Sequence, residues 1–215
     1  MRCVVFAGGP AENYDVVRVG PGDVVICADG GARHAAALGI VPQLIIGDMD
    51  SVDPGLLDDL ERKGSRVERH PREKDELDGE LAIHAAISTG AGEIVVYGGT
   101  GGRLDHALAN IHLLAVPAGR GIRAVMEDSR HRISVATPAL PAVVEGRGAA
   151  FSLLPLTTRV EGVTSRGTAW DLDGAVFEIG KPYGVSNVVV ADRARISVGQ
   201  GMLLVVELTA GPDFP

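Results

Sequence analysis

The sequence predicts an α/β protein, in which a mostly parallel sheet flanked by helices is followed by a small antiparallel β-sandwich. Up to about residue 129, short apolar runs alternate with segments of helical spacing, as in sheets covered by helices on both faces. Beyond that point the helical period is lost, and β-branched runs recur between glycines and prolines. We therefore predict two domains, residues 1–129 and 130–215.

Each element follows from its local pattern. Six apolar runs are predicted as strands of the first domain: Arg2–Ala7, Asp23–Ala28, Gln43–Ile46, Arg66–His70, Glu93–Tyr97 and Arg123–Glu127. Four segments have helical spacing and end near a glycine or proline: Gly31–Leu38, Pro54–Lys63, Asp75–Thr89 and Arg103–Ala115. Eight runs are predicted as strands of the second domain: Arg132–Ala136, Ala142–Glu145, Ala150–Leu154, Val160–Ser165, Ala175–Ile179, Val188–Ala191, Arg195–Val198 and Met202–Leu208.

Composition excludes several classes of protein. The apolar fraction of 46% and the charged fraction of 22% are those of an ordinary globular chain. A formal net charge of −8 argues against binding to nucleic acid or to an anionic membrane. No apolar stretch reaches membrane-spanning length, and the first apolar run is too short for a signal peptide. Cys3 and Cys27 lie in strand-like runs, so we expect buried thiols and a cytoplasmic protein.

The most informative residues are Asp48 and Asp50, which directly follow a predicted buried strand. On extended backbone, carboxylates at i and i+2 point to the same side, and their repulsion calls for a cation. Magnesium carrying substrate phosphates suits such oxygen ligands. The alternative is a solvated loop in which Ser51 or Asp53 caps a helix that begins at Pro54.

Four further motifs follow predicted strands, at the edge where parallel sheets bind ligands. They are Ala7-Gly8-Gly9-Pro10, Asp29-Gly30-Gly31, the segment from His70 to Asp78, and the segment from Gly98 to His106. Turn chemistry explains the glycines, but it does not explain acids at the ends of the second, third and fourth strands. The sequence therefore favours a site for a metal and phosphates.

The run Gly98–Gly102 leads straight into a helix, whose free N–H groups favour phosphate. It matches neither a P-loop nor the dinucleotide fingerprint, and a flexible turn is an equal alternative. Arg103 strengthens the phosphate interpretation, because a guanidinium can bind two phosphate oxygens. Asp105 and His106 would orient Arg103 or touch the substrate, although His106 fits an ordinary helix surface slightly better.

Asp75 and Asp78 stand three residues apart at a predicted helix start, where Asp75 would be the N-cap. Lys74, one of three lysines, lies among these acids and could bind a phosphate.

In the second domain Trp170, the single tryptophan, is as suited to the core as to stacking on a ligand. Ser186 and Asn187 could equally form an ordinary turn.

Taken in order, these motifs resemble the thiamine pyrophosphokinase family over nearly the whole chain. The matching segments are Gly8-Gly9-Pro10, Asp29-Gly30-Gly31, Gly47-Asp48-Met49-Asp50-Ser51, Lys74-Asp75-x-x-Asp78, Gly99-Thr100-Gly101-Gly102-Arg103-Leu104-Asp105-His106 with Asn110, and Gly184-Val185-Ser186-Asn187. The resemblance implies a homodimer that moves diphosphate from ATP to the hydroxyl of thiamine with magnesium and releases AMP.

The resemblance also implies roles for individual residues. Asp48, Asp50 and Asp78 would hold magnesium and, with Arg103, carry the catalysis. The residues expected to bind ATP are Asp29, Gly30, Lys74, Asp75, Gly99, Thr100, Gly101, Gly102, Asp105 and His106. Those expected to bind thiamine, at a contact between subunits, are Ser186, Asn187 and Trp170.

Two positions depart from the family pattern, Leu77 in place of a usual threonine and Met49 in place of a usual aromatic residue. Neither removes a charge, so they bear on substrate preference more than on catalysis. Two alternatives stay open: an enzyme of the same fold acting on another alcohol such as a pterin, and a non-catalytic nucleotide sensor.

Overall fold

The computed structural model describes residues 1–10 and 14–209, and the chain forms two compact units. The first unit contains Met1–Leu113 and Met126–Ser129. The second contains Leu114–Val125 and the described part of the chain from Arg130 onward. The segment 114–125 is thus grouped with the second unit, although it precedes the predicted boundary at residue 129.

The first unit is built on a parallel sheet with strand order β5-β1-β2-β3-β4. The strands are β1 (Arg2–Phe6), β2 (Val24–Ala28), β3 (Leu44–Gly47), β4 (Arg66–Arg69) and β5 (Glu93–Tyr97), while β6 (Arg123–Glu127) adds Met126 and Glu127 to this unit. The chain adds β2, β3 and β4 on one side of β1 and β5 on its other side. Winding therefore reverses between β1 and β5, where open parallel sheets form a ligand crevice.

Helices cover both faces of this sheet, as predicted. The helices of the chain are α1 (Ala32–Ala37), α2 (Pro54–Arg62), α3 (Asp78–Ser88), α4 (Leu104–Leu113) and, in the second unit, α5 (Ala115–Ala118). Ala32 of α1 and Leu57 of α2 share one core with Val4 and Ile45 of the strands. Leu81 of α3 meets side chains of the opposite face, because residues alternate along a strand. The predicted α/β architecture is confirmed.

The starts of α2 and α3 show why these helices form where they do. Asp53 caps α2, since its Oδ1 accepts a hydrogen bond of 2.9 Å from the N–H of Leu56. The prediction that Asp75 caps α3 is wrong. The N-cap is Leu77, and the acid favoured by the helix dipole is Asp78 in the first turn.

The second unit consists of two antiparallel sheets around one core. The strand orders are β12-β9-β14-β7 and β11-β10-β13-β8. The strands are β7 (His131–Ala136), β8 (Ala142–Glu145), β9 (Ala150–Pro155), β10 (Arg159–Arg166), β11 (Ala175–Glu178), β12 (Asn187–Val188), β13 (Arg193–Ser197) and β14 (Leu203–Leu208). Phe151 and Val205 of one sheet share a core with Phe177 and Ile196 of the other. Among the described residues, no helix has the length and apolarity needed to cross a membrane.

Candidate active site

The strand ends of the first unit open onto one cavity of about 540 Å³, a size typical of small-molecule sites. It lies where winding reverses, and the motifs after all five strands of the parallel sheet contribute to it. The lining residues are Ala7, Gly8, Gly9, Pro10, Ala28, Asp29, Asp48, Asp50, Ser51, Arg72, Leu77, Asp78, Gly79, Gly99, Gly101, Arg103, His106 and Asn110. Motifs far apart in sequence therefore meet in one place, as predicted.

Three carboxylates form a compact acid cluster in this cavity: Asp29, Asp48 and Asp78 each offer an oxygen within 4.8 Å of the others. Asp29 has 7% of its surface exposed, and a φ of 43° turns it out of the strand direction. Its Oδ1 is buried and has no hydrogen-bond partner among residues 1–10 and 14–209. The absence of a side chain at Gly47 makes room for Asp29 and Asp78, because a Cβ there would lie 2.9 Å from Cβ of Asp29 and 3.0 Å from side-chain atoms of Asp78.

Asp50 does not belong to the acid cluster. The expectation that Asp48 and Asp50 share one side of extended backbone is wrong, because Met49 has a φ of 62° and β3 ends at Gly47. The carboxylate of Asp48 accepts a hydrogen bond of 3.1 Å from the N–H of Asp50. Asp50 lies beside Arg72, with 3.5 Å between Oδ2 and Nη2. The cluster therefore contains Asp29, which was predicted to contact ATP.

The charge of the acid cluster is incompletely compensated. Burial raises the pKa of Asp29, and the neighbouring charge of Asp78 adds to this, against hydrogen bonds from Ser51 and Gly30. A bare carboxylate oxygen among like charges fits a hard divalent cation, which prefers oxygen ligands. The residues present therefore fit magnesium.

Lys74 supplies a positive charge to the acid cluster. Its Nζ lies 2.8 Å from Oδ1 of Asp78, and the lysine side chain is only 11% exposed. The hydrogen bond to Asp78 raises the pKa of Lys74, burial opposes this, and the charges of Asp48 and Asp29 contribute further. Lys74 therefore stays protonated.

The loop after β5 is shaped to pass close to the loop after β1. Gly98 has a φ of 68°, and a Cβ there would lie 2.7 Å from the carbonyl oxygen of Ala7. Asn110 of α4 donates a hydrogen bond of 3.0 Å to the carbonyl oxygen of Gly99. The hydroxyl of Thr100 donates to the carboxylate of Asp128. These contacts fix the loop in front of the N-terminus of α4, where free N–H groups can meet phosphate oxygens.

Arg103 and Asp105 form a two-bonded ion pair at the start of α4. Nε of Arg103 lies 3.1 Å from Oδ1 of Asp105, and Nη2 lies 2.6 Å from Oδ2. The hydrogen bond from Arg103 lowers the pKa of Asp105 to about 2. Arg103 is 72% exposed and lines the cavity, as does His106. Asp105 thus holds the guanidinium at the cavity rim.

The loop after β1 is supported from below by α1, through contacts that sequence reasoning missed. Nη2 of Arg33 donates a hydrogen bond of 2.6 Å to the carbonyl oxygen of Gly8. Nε2 of His34 lies 2.8 Å from the carbonyl oxygen of Gly9, so this nitrogen carries the proton. Nδ1 then accepts from the hydroxyl of Tyr14 at 2.9 Å, and burial lowers the pKa of His34. A neutral histidine therefore holds the loop.

The second unit presents Trp170 and holds its backbone with Asn187. The Asn187 side chain is buried, accepts from the N–H of Trp170 at 3.3 Å and donates to its carbonyl oxygen at 3.0 Å. The indole side is left open, since Trp170 is 64% exposed. Ser186 has a φ of 62°, and its N–H donates to Oγ of Ser152 at 3.1 Å. Asn187 therefore positions Trp170 rather than presenting its own amide to solvent.

Eight of the eighteen lining residues of the cavity were predicted as site residues. The predicted residues among its lining are Asp29, Asp48, Asp50, Asp78, Gly99, Gly101, Arg103 and His106. The predicted residues of the first unit that are not among the lining are Gly30, Lys74, Asp75, Thr100, Gly102 and Asp105. Arg72 was missed, although its place between Pro71 and Lys74 in a motif already singled out was a usable signal.

Comparison with known proteins agrees with this geometry. The family model "Thiamin pyrophosphokinase, catalytic domain" matches residues 21–126, and "Thiamin pyrophosphokinase, vitamin B1 binding domain" matches residues 131–203. Thiamine pyrophosphokinase of Bacillus subtilis is 26% identical over 95% of this chain and 97% of its own length. The crystal structure of a thiamin pyrophosphokinase family protein from Enterococcus faecalis is 26% identical, with a TM-score of 0.82, covering 98% of this chain and 100% of that one.

The fold agrees equally well. The crystal structure of thiamine pyrophosphokinase from Bacillus subtilis superposes with a TM-score of 0.85 over 98% of this chain and 100% of that one, at 24% identity. Both family models fall in the order that the motifs predict, with the catalytic model on the α/β part and the vitamin-binding model on the β part. The chain belongs to the thiamin pyrophosphokinase family.

Proposed function

We propose that this chain transfers the diphosphate group of ATP to the hydroxyl of thiamine, giving thiamine diphosphate and AMP. The observation that carries the proposal is the pairing of two family models, one catalytic and one for vitamin B1, over residues 21–126 and 131–203. The cavity at the strand ends supports it, because acids, glycines and an arginine converge there as a phosphate-transfer site requires.

We infer that the phosphates of ATP bind along the loop after β5. The loop leads into α4, whose N-terminal N–H groups and dipole favour anions. Arg103 stands at the rim with a planar guanidinium that can exchange Asp105 for two phosphate oxygens. His34 and Arg33 hold the opposite loop in place, so that the two loops form a preorganised cradle.

Asp29, Asp48 and Asp78 are the residues that would hold magnesium. Asp50 was predicted as a third ligand, but it lies with Arg72 outside this group, so we assign Asp29 in its place. When bound, magnesium would neutralise charge on phosphate oxygens and on the leaving group. The observation behind the assignment is the buried Oδ1 of Asp29, which accepts no hydrogen bond from the residues that the structure describes.

The proposed reaction is an in-line displacement at the β-phosphorus. The hydroxyl oxygen of thiamine forms a bond to this phosphorus, and the bond from it to the oxygen bridging to the α-phosphorus breaks. AMP leaves with that oxygen, and a carboxylate accepts the proton of the hydroxyl. Asp78 and Asp50 both line the cavity, and both are candidates for this acceptor.

We infer that thiamine is bound by the second unit in a homodimer. Trp170 offers an open aromatic face, which suits an aromatic cation, and Asn187 fixes its backbone. The described residues of this unit leave several large apolar side chains more than half exposed, as at a protein interface. They are Trp170, Ile179 and Tyr183.

A cytoplasmic location stays a prediction, based on Cys3 and Cys27, which are buried free thiols.

The test is incubation with ATP, magnesium and thiamine, with AMP and ADP separated by chromatography. AMP and thiamine diphosphate in equal amounts support the proposal. ADP would indicate transfer of a single phosphoryl group and contradict it. Parallel reactions with a hydroxymethyl pterin examine the alternative acceptor, and nucleotide binding without turnover on either alcohol would favour a sensor.

A further inference from the structure

The ion pair between Lys74 and Asp78 involves a carboxylate that is also a candidate ligand for magnesium. The lysine Nζ lies 2.8 Å from Oδ1 of Asp78, one of the three members of the acid cluster. Both side chains are largely covered, at 11% and 26% exposure. The same Nζ donates a long hydrogen bond of 3.3 Å to the carbonyl oxygen of Pro71. Asp78 is therefore the strong partner of Lys74.

A divalent cation and this ammonium compete for the same carboxylate. A positive charge at 2.8 Å from Asp78 would repel an ion bound by Asp29, Asp48 and Asp78. A lysine suits a temporary partner, because its charge is compact and its four-carbon stem can redirect it. Lys74 lies between the end of β4 at Arg69 and the start of α3 at Asp78, in the turn beside the cavity.

We propose that Lys74 is an internal counter-ion of the acid cluster, which occupies Asp78 in the nucleotide-free protein and moves to the phosphates of ATP when magnesium enters. This inference rests on the proposed function for the identity of metal and nucleotide. It makes the free acid cluster a weak metal site and the nucleotide-loaded one a strong site. Magnesium and ATP would then bind together, because the nucleotide gives Lys74 a new partner.

A control for the role of Lys74 requires another ion-paired cation that does not contact the acid cluster. Arg72 pairs with Asp50 at 3.5 Å, but its side chain is 82% exposed and Asp50 is outside the acid cluster. Lys63 offers a closer match to Lys74. It forms an i,i+4 ion pair with Asp59 at 2.6 Å at the C-terminal end of α2, where the side chains of Lys63 and Asp59 are 55% and 40% exposed. Replacing Lys63 changes the net charge equally without touching the acid cluster.

The experiment measures magnesium binding by calorimetry for the wild type, Lys74→Met and Lys63→Met. Each protein is titrated with magnesium chloride, first alone and then with α,β-methylene-ATP, whose reacting bridge cannot be cleaved. Without nucleotide, Lys74→Met should bind magnesium about tenfold more tightly than the wild type, because a competing charge is gone. Lys63→Met should behave as the wild type does.

The nucleotide supplies the second readout. In the wild type, the analogue should strongly increase the affinity for magnesium. In Lys74→Met this increase should be about tenfold smaller, because the binding of nucleotide and the binding of magnesium are thermodynamically linked. An unchanged or weaker magnesium affinity in nucleotide-free Lys74→Met would overturn this inference alone, provided that metal binds to both proteins. Lack of magnesium binding to the wild type even with the analogue would overturn the magnesium assignment as well. Lys74→Gln serves as a second variant if Lys74→Met does not fold.

Discussion

Replacing Asp29 by asparagine should stabilise the metal-free protein while abolishing magnesium binding at the proposed site. Asp29 is 7% exposed, and its carboxylate lies within 4.8 Å of those of Asp48 and Asp78. At this separation, an effective dielectric constant of about 20 gives a repulsion of roughly 3 kcal/mol for each pair of charges. Lys74 offsets part of this. Asparagine also tolerates the positive φ of 43° at this position.

We therefore expect a net gain of about 1–2 kcal/mol in the free energy of unfolding, which corresponds to a rise in Tm of roughly 2–8 °C for a chain of this size. The assay is thermal unfolding in the presence of a chelator near neutral pH. Asp58→Asn, an exposed aspartate on α2, makes the same chemical change as a control and should leave Tm unchanged. A magnesium-induced rise in Tm should be present in the wild type and lost in Asp29→Asn.

The stability difference between wild type and Asp29→Asn should depend on pH. The folded-state pKa of Asp29 is raised above its ordinary value of 3.8, so as pH falls the folded state binds a proton at this carboxyl before the unfolded state does. Wild-type stability should fall as pH rises through the folded pKa, and Asp29→Asn should lack this loss. The gain should thus vanish below the ordinary pKa, where the wild-type carboxyl is protonated in both states. If Asp29→Asn were less stable than the wild type near neutral pH in chelator, repulsion within the acid cluster would not be a net cost to folding.

Three further outcomes are expected. Asp48→Asn should lower kcat by on the order of a hundredfold or more, because a charge-stabilising ligand is lost, while Tm in chelator stays the same or rises; near-normal turnover at limiting magnesium would count against the assignment. Arg103→Lys should raise KM for ATP and lower kcat with the fold intact, since lysine cannot make the two-bonded contact, and steady-state kinetics identical to the wild type would place Arg103 outside catalysis. Asn187→Ala should raise KM for thiamine more than KM for ATP, because Trp170 loses both backbone hydrogen bonds, and equal effects on both constants would indicate a general loss of folding.

The arrangement of the elements could be predicted because hydrophobic period and turn residues act locally. Glu93–Tyr97 and Arg123–Glu127 were predicted to the residue, and α2 differs only by its last residue. The start of α3 was missed by three residues, because a sequence with acids at 75, 76 and 78 offers several equivalent first turns. In the structure α3 begins at Asp78, whose carboxylate pairs with Lys74 in the segment before the helix.

The site could be predicted as a location but not as an arrangement. Parallel strands place their motifs at one edge, so the cavity followed from topology. The membership of the acid cluster depends on the positive φ of Met49 and of Asp29, which local sequence does not encode for such residues. The support of Gly9 by His34 and Tyr14 joins residues 20 or more positions apart, and only the fold brings them together.

Diphosphate transfer can be tested directly by following the phosphates of ATP into the two products. Wild-type protein and Asp48→Asn are incubated with thiamine, magnesium and ATP labelled in either the α- or the γ-phosphate. The wild type should place the α-label in AMP and the γ-label in thiamine diphosphate, and Asp48→Asn should lose both products. Label from the γ-phosphate in thiamine monophosphate, with ADP as the second product, would contradict diphosphate transfer. Equal turnover by the two proteins would contradict the site.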